Sequence, residues 1–279
     1  MKRITPWILA AVLLSLPLSG SGFQLNLNKI GGILQKARQA GSEVSTAQEE
    51  RIGAGIAANL LGAAPLVRDP ALQRYVNDVG RWLTLHTSRP DLPWRFGVLD
   101  TGDINAFAAP GGYVFITRGL LLRLHSEAEL AGVLAHEIAH VLKKHHLRAI
   151  EKNARMGILA DVLHVAAQDN RHNESLQKVI GAGTELYARG LDKDDEYQAD
   201  RMGVVIAARA GYDPFALPAV LQTLEKINPH DSAFALMFKT HPTAENRLRA
   251  LNATMGERLD RYGRQTEGAA RFVRHVHPR

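Results

Sequence analysis

Cysteine is absent from this sequence of 279 residues. Its absence excludes disulfide bonds, thiolate metal ligands and the lipid-modified cysteine of a bacterial lipoprotein. A site built from histidine and carboxylate side chains remains possible. Such a site suits an oxidising compartment, because it has no thiol to lose.

Long apolar runs are also scarce. After residue 22, no segment reaches the ~18 uninterrupted apolar residues expected of a membrane-spanning helix. At the start of the chain, the basic residues Lys2 and Arg3 precede a short apolar run, Trp7–Leu16, and proline, serine and glycine follow it. This pattern predicts a secretory signal peptide over residues 1–22, with an uncleaved N-terminal anchor as the alternative.

Charge of one sign is in only modest excess. The net charge is +6, and the basic residues are scattered without a nucleic-acid-binding motif. We therefore expect no nucleic-acid partner. Residues 258–279 are rich in arginine, and we expect them to form a solvated basic tail that lies near anionic membrane surfaces.

Hydrophobic periodicity predicts an α+β fold that is mostly helical with a small sheet. Apolar residues at helical spacing begin near Glu49 and return after Asp69-Pro70, which is an N-cap followed by a proline suited to the first helical turn. Alternating or compact apolar stretches predict three strands, at residues 94–99, 105–108 and 113–117. Neither an internal repeat nor a linker is evident, so we predict one domain over residues 23–257.

The stretch LAHEIAH, residues 134–140, places three polar side chains in an aliphatic helix that Ser126 is suited to cap. His136 and His140 are four residues apart and so lie on one helix face, where two imidazole nitrogens can bind a single Zn²⁺. Glu137 is rotated by about 100° from His136, which suits a general base better than a ligand. Either histidine taken alone could instead be a hydrogen-bonded core residue.

A catalytic zinc site needs a third protein ligand. The best candidate is Glu196 in the stretch DEYQAD, residues 195–200, on a later helix. Asp200 lies one turn further on the same face and is placed to accept the outer N–H of a zinc histidine. The alternative is an acidic, solvated start of a helix.

Four motifs occur in order: NAFAAPGG from Asn105, HEIAH from His136, EYQAD from Glu196 and THPTAENR from Thr240. In these motifs the chain resembles the gluzincin zinc metallopeptidase family, which includes the CAAX prenyl protease, HtpX and the periplasmic beta-barrel assembly-enhancing protease. The resemblance covers residues 50–251 and implies a zincin-like peptidase domain built around the HExxH helix. Without a later spanning segment, the chain resembles the soluble periplasmic branch.

Position by position, the resemblance implies one Zn²⁺ per chain. Its ligands would be His136, His140 and Glu196, with Glu137 as the catalytic base. Asp200 then matches an aspartate that supports a zinc histidine from outside the ligand set.

The other two motifs suggest how substrate is held. Asn105, Ala106 and Phe107 resemble an edge strand along which an extended peptide binds, although an asparagine here could simply be a turn residue. His241 would either donate to the oxyanion of the tetrahedral intermediate or plug the open zinc position in the resting enzyme. We expect Arg247 to pair with a buried carboxylate. His145 and His146 are expected to fall away from the metal-binding face.

These features predict an exported, periplasmic zinc metalloendopeptidase. Its expected substrates are unfolded or misfolded envelope proteins, with the outer-membrane assembly machinery as a possible partner. The alternative is a chaperone-like factor that holds unfolded envelope proteins with little proteolysis. A purely structural zinc site is disfavoured, because such sites usually have four protein ligands and often use thiolates.

Overall fold

The computed structural model describes residues 44–155, 190–226, 241–263 and 265–277. The predicted signal peptide, and most of the helical stretch expected after residue 147, lie outside the described residues. The elements, numbered in chain order, are α1 (Thr46–Ala63), α2 (Pro70–Thr84), β1 (Arg95–Leu99), β2 (Ala106–Ala109), β3 (Tyr113–Thr117), α3 (Arg118–Leu121), α4 (Glu127–Leu142), α5 (His145–Arg155), α6 (Lys193–Arg209), α7 (Ala216–Glu225), α8 (Ala244–Met255) and α9 (Ala269–Val276). A 3-10 helix, Gly256–Tyr262, follows α8.

The α+β class expected from the sequence is confirmed. The three strands form a sheet of order β1-β3-β2, in which β1 runs parallel to β3 and β2 runs antiparallel to it. Among the described residues, β2 therefore lies at an edge of this sheet. No helix in the described part of the chain is long and apolar enough to cross a bilayer.

Local signals set where the helices begin. The side chain of Asp69 accepts hydrogen bonds from the backbone N–H groups of Ala71 and Leu72, and Pro70 occupies the first turn of α2. Ser126 caps α4 by accepting from the N–H of Glu129. Both caps match their predicted positions, because the side chains that satisfy a helix start are close to it in sequence.

Helix α4 runs through the interior of the domain. It packs against the sheet, α2 and α7, and it lies along α6. All its residues from Leu130 to Val141 are buried. A helix buried on all sides imposes a cost on any polar group it carries unless that group has a partner. Its polar side chains therefore have to find partners on neighbouring elements.

The C-terminal segment differs from the solvated tail that we expected. Residues 269–276 form α9, and Phe272 is fully buried in the main hydrophobic cluster. The ring of His275 stacks on Tyr75 of α2, with the centroids 4.3 Å apart. The expectation was wrong on this point because Phe272 and Val276, four residues apart, give the arginine-rich segment a buried apolar helix face. The predicted domain boundary itself stays a prediction.

A buried carboxylate joins α9 to the start of α4. Glu127 accepts hydrogen bonds from the hydroxyl groups of Tyr75 and Tyr212, both at 2.9 Å, and it pairs through both oxygens with Arg271. Burial by itself raises the pKa of Glu127, but these donors outweigh burial and hold the pKa below its ordinary value of 4.5. The charged carboxylate thus connects α2, α4, α9 and the segment between α6 and α7.

We predict that Glu127→Leu destabilises the protein by about 2–5 kcal/mol, because it leaves two tyrosine hydroxyls without an acceptor. Since folding lowers the pKa of Glu127, its contribution is present above pH 4.5 and is lost as the pH falls further. Urea unfolding at pH 7 and pH 3 measures both effects. The matched control is Glu245→Leu, which removes an exposed pair with Arg249 and should change stability by less than about 1 kcal/mol. Equal losses in the two variants would contradict the prediction.

Candidate metal centre

Two adjacent helices bring the predicted ligands together. His136 and His140 lie on one face of α4, with their Nε2 atoms 3.0 Å apart. Glu196 comes from the first turn of α6 and is fully buried. Its Oε2 atom lies 3.6 Å from Nε2 of His136, and its Oε1 atom lies 3.5 Å from Nε2 of His140.

This donor set fits a divalent cation. Ligand atoms at the usual zinc distances are separated by roughly 3.3 Å in tetrahedral geometry, which matches the spacing of these three side chains. Glu196 Oε1 is buried and has no hydrogen-bond partner. A buried carboxylate oxygen without a partner is costly unless a cation neutralises it. The site therefore fits a metal bound by two imidazoles and one carboxylate.

His241 lies at the same point, although it is far from the other residues in sequence. Its Nδ1 atom lies 2.5 Å from Oε2 of Glu196. His136, Glu196 and His241 together offer three ligand atoms within 4.8 Å of one another. Four donors thus converge. His136 and Glu196 belong both to the predicted ligand set, which includes His140, and to this group, which includes His241. The preceding residues 227–240 lie outside the described part of the chain.

Asp200 supports His136 from the side away from this centre. Its Oδ1 atom lies 3.0 Å from Nδ1 of His136. Arg247 of α8 is buried and donates to both oxygens of Asp200, from Nε at 2.9 Å and from Nη2 at 2.5 Å. Burial alone raises the pKa of Asp200, but Arg247 outweighs it and lowers the pKa to about 2. Arg247 thus pairs with a buried carboxylate, as expected.

Glu137 sits beside the ligands with a different environment. Only 4% of the residue is exposed, and burial raises the pKa of its carboxyl group. The carboxyl group of Glu196 behaves oppositely, because its interactions with the neighbouring His241 and His140 outweigh burial and hold its pKa well below the usual range. Two carboxylates in one site thus differ in basicity, and Glu137 is the better proton acceptor.

A cleft opens beside the centre. Glu137, Glu196 and His241 line one part of it, and residues 105–108 line another. Asn105 is buried and its Oδ1 atom accepts from the N–H of Ala106 at 2.9 Å. The amide oxygen of Asn105 is therefore engaged by its own strand, as in a turn asparagine, while the residue also borders the cleft.

The strand β2 presents part of its backbone away from the sheet. The N–H of Thr117 donates to the carbonyl of Asn105, and Phe107 is paired with Phe115 in the same register. Paired residues in an antiparallel ladder alternate between bonded and non-bonded pairs. The backbone groups of Ala106 and Ala108 therefore point away from β3.

Comparison with known proteins agrees with this geometry. Residues 68–255 match Peptidase family M48. The chain belongs to this family of metal-dependent peptidases. It is 34% identical over 215 residues to the Beta-barrel assembly-enhancing protease of Escherichia coli (strain K12), which covers 75% of this chain and 44% of that protein.

More distant relatives share the same region. The Beta-barrel assembly-enhancing protease of Yersinia pestis is 32% identical over 248 residues, covering 86% of this chain and 51% of that protein. The Mitochondrial metalloendopeptidase OMA1 of Arabidopsis thaliana is 30% identical over 161 residues, covering 57% of this chain and 31% of that protein. The matched region spans about half the length of each of these two bacterial relatives.

His145 and His146, which follow α4, lie closer to the centre than we expected. Nδ1 of His145 lies 2.9 Å from Nδ1 of His140, and His146 lines the cleft. Burial lowers the pKa of His146 to about 3, so that this imidazole is neutral. The expectation that they fall away was wrong because it continued the helical face of α4. The chain instead leaves that helix at Lys144, which has a φ of +54°.

A glycine that drew no attention in the sequence lets α4 and α6 approach closely. A Cβ atom added to Gly203 would lie 2.9 Å from the backbone N and 3.0 Å from the Cα of His136. No side chain fits there without moving one helix. The role of Gly203 is not visible in the sequence, because a glycine inside a helix pattern shows nothing about the element that packs against it.

We predict that Gly203→Ala separates α4 from α6 and lowers both stability and metal affinity, despite the higher helix propensity of alanine. A cost of about 1–3 kcal/mol is expected for overpacking of this kind. The matched control is Gly62→Ala in α1, where an added Cβ meets nothing within 4 Å. Alanine there should stabilise the protein by up to about 1 kcal/mol. Thermal unfolding and zinc titration of both variants check this, and a Gly203→Ala protein as stable as Gly62→Ala would refute it.

Proposed function

We propose that this protein is a zinc-dependent metalloendopeptidase with His136, His140 and Glu196 as the zinc ligands. The observation that carries the proposal is the convergence of these three donors beside an open cleft, with one buried oxygen of Glu196 left without a hydrogen bond. Membership of family M48 supports the same assignment. The zinc, when bound, supplies a Lewis acid that polarises a carbonyl group and lowers the pKa of water.

The protein's own residues then have separable roles. Glu137 lines the cleft, and its raised pKa suits a group that takes a proton from the attacking water and returns it to the leaving amine. Asp200 accepts from His136 and keeps that imidazole oriented with its other nitrogen toward the ligand set. Arg247 holds Asp200 in its charged form.

An extended peptide would bind along β2. Among the described residues the strand lies at a sheet edge, and residues 105–108 line the same cleft as Glu137. Pairing through the main chain is largely independent of sequence, which suits a peptidase that acts on many unfolded segments. Asn105 would support this edge by holding the N–H of Ala106, and Phe107 would contact substrate side chains.

We further propose that the protein is exported to the periplasm and acts in quality control of envelope proteins. The form of the first 22 residues supports export. The bacterial relatives are named for enhancing beta-barrel assembly, which supports unfolded outer-membrane proteins as substrates and their assembly machinery as a partner. The alternative is a chaperone-like factor that uses the same edge strand to hold unfolded chains with little cleavage.

We predict that Glu137→Gln abolishes peptidase activity and keeps the zinc, because it removes the proton acceptor and leaves the three ligands in place. Metal analysis and casein cleavage, with and without a chelator, measure the two properties on one sample. A loss of zinc from this variant would make Glu137 a ligand and overturn the assignment. The same variant separates the two functions, since holding of unfolded proteins should survive the substitution.

For His241 we propose that the imidazole closes the open zinc position in the resting enzyme. Its Nδ1 atom lies within reach of the ligand set, against Glu196. We predict that His241→Ala raises basal proteolysis of casein. If His241 instead donates to the oxyanion, the substitution should lower turnover by about 10²–10³-fold. Initial rates at saturating substrate distinguish the two roles, and an unchanged rate would exclude both.

A further inference from the structure

The outer nitrogen of His140 faces a second histidine and not a carboxylate. Nδ1 of His140 and Nδ1 of His145 are 2.9 Å apart, and the side chain of His145 is fully buried. On its far side, Nε2 of His145 lies 3.0 Å from Oε1 of Gln198. Asp195 offers another acceptor 3.5 Å from the same nitrogen. Three side chains thus form a line that leads away from the candidate metal centre.

The backbone brings His145 into this line at a local cost. In a continuous helix, residue 145 would point about 140° away from residue 140. Lys144 instead adopts a left-handed conformation, with φ of +54°, between α4 and α5. Such a conformation is unfavourable for a lysine, because its Cβ atom comes close to the following carbonyl oxygen. The turn reverses the direction of the side chains and places His145 against His140.

The polarity of these hydrogen bonds can be followed from one end. Both Oε1 of Gln198 and the carboxylate of Asp195 can only accept, so Nε2 of His145 carries the proton. Nδ1 of the neutral His145 is then an acceptor, and it must receive the proton on Nδ1 of His140. The lone pair of His140 is thereby left on Nε2, which faces His136 and Glu196. A metal ligand needs its lone pair at this nitrogen.

The two candidate ligand histidines therefore have partners of different charge. His136 has the carboxylate of Asp200, whose charge is balanced by Arg247. His140 has a neutral partner, and this arrangement orients its ring without adding another buried carboxylate beside Glu196. A histidine whose outer N–H has no acceptor is free to adopt the other tautomer, which cannot bind the metal.

We propose that His145 and Gln198 are positioning residues for His140. In this arrangement Gln198 sets which nitrogen of His145 is protonated, and His145 in turn sets which nitrogen of His140 is free for the metal. The inference rests on the proposed function, because it requires His140 to be a ligand. It adds His145, five positions after His140, and Gln198, two positions after Glu196, whose chemistry alone does not indicate a role in the site.

The test measures zinc affinity of the full chain by competition with a chelator at pH 7.5. His145→Leu removes the acceptor for His140, and we expect zinc binding to weaken by about 10–100-fold. His145→Asn places an amide oxygen near the position of Nδ1, so we expect it to stay within about threefold of the unsubstituted protein. Gln198→Leu removes the acceptor for His145 and should weaken binding by about 3–10-fold.

A matched control separates positioning from stability. Gln73 of α2 makes hydrogen bonds through its amide to the backbone of Val67 and Val98, far in sequence from the candidate centre. Gln73→Leu makes the same chemical change as Gln198→Leu, so we expect it to lower the melting temperature of the metal-free protein without changing zinc affinity. A role of Gln198 in stability alone would give the same result as this control.

Each outcome decides the proposal. The proposal is overturned if a folded His145→Leu protein binds zinc as tightly as the unsubstituted protein. It is also overturned if His145→Leu and His145→Asn weaken zinc binding equally. If His145→Leu does not fold, the test depends on Gln198→Leu alone. A zinc affinity of Gln198→Leu equal to that of Gln73→Leu then overturns the proposal. An unsubstituted protein that binds no zinc overturns the proposed function and this inference together, whereas zinc binding that no variant alters overturns only the inference.

Discussion

The close packing of α6 against α4 is the constraint on which the rest of this structure depends. One helix supplies two imidazoles and the other supplies the carboxylate, so the donor set exists only while the two backbones stay in contact. Gly203 allows this contact because any side chain there would collide with the backbone of His136. Ala199, fully buried one turn earlier, keeps the same face of α6 small. Packing thus acts here as part of the site.

Burying so many polar groups in one helix interface requires each to be matched. Asp200 is matched by Arg247 and His136, and Glu127 is matched by Arg271 and two tyrosines. Glu196 is the exception, since one of its oxygens has no partner among the described residues. An interior that satisfies Asp200 and Glu127 and leaves this oxygen of Glu196 incomplete indicates a place for a cation.

The surroundings of two neighbouring carboxylates shift their pKa values in opposite directions. The imidazoles around Glu196 hold its pKa well below the usual range, whereas burial outweighs the neighbouring imidazoles at Glu137 and raises its pKa. The two residues differ in basicity because their surroundings differ, although their side chains are the same. The cleft beside them is lined on another part by residues 105–108.

Sequence patterns determined those features that depend on neighbours in the chain. The caps at Asp69 and Ser126, the three strands and the shared face of His136 and His140 all follow from spacing of a few residues, and the structure shows each of them. The motif order was enough to indicate the family and to select Glu196 and Asp200. Features that depend on distant packing could not be obtained this way. Phe272 is buried only because α9 finds a place against α2 and α4, and His145 meets His140 only because the chain turns at Lys144. Gly203 matters only because α6 crosses α4 at that point, and such contacts are decided by how the elements pack together.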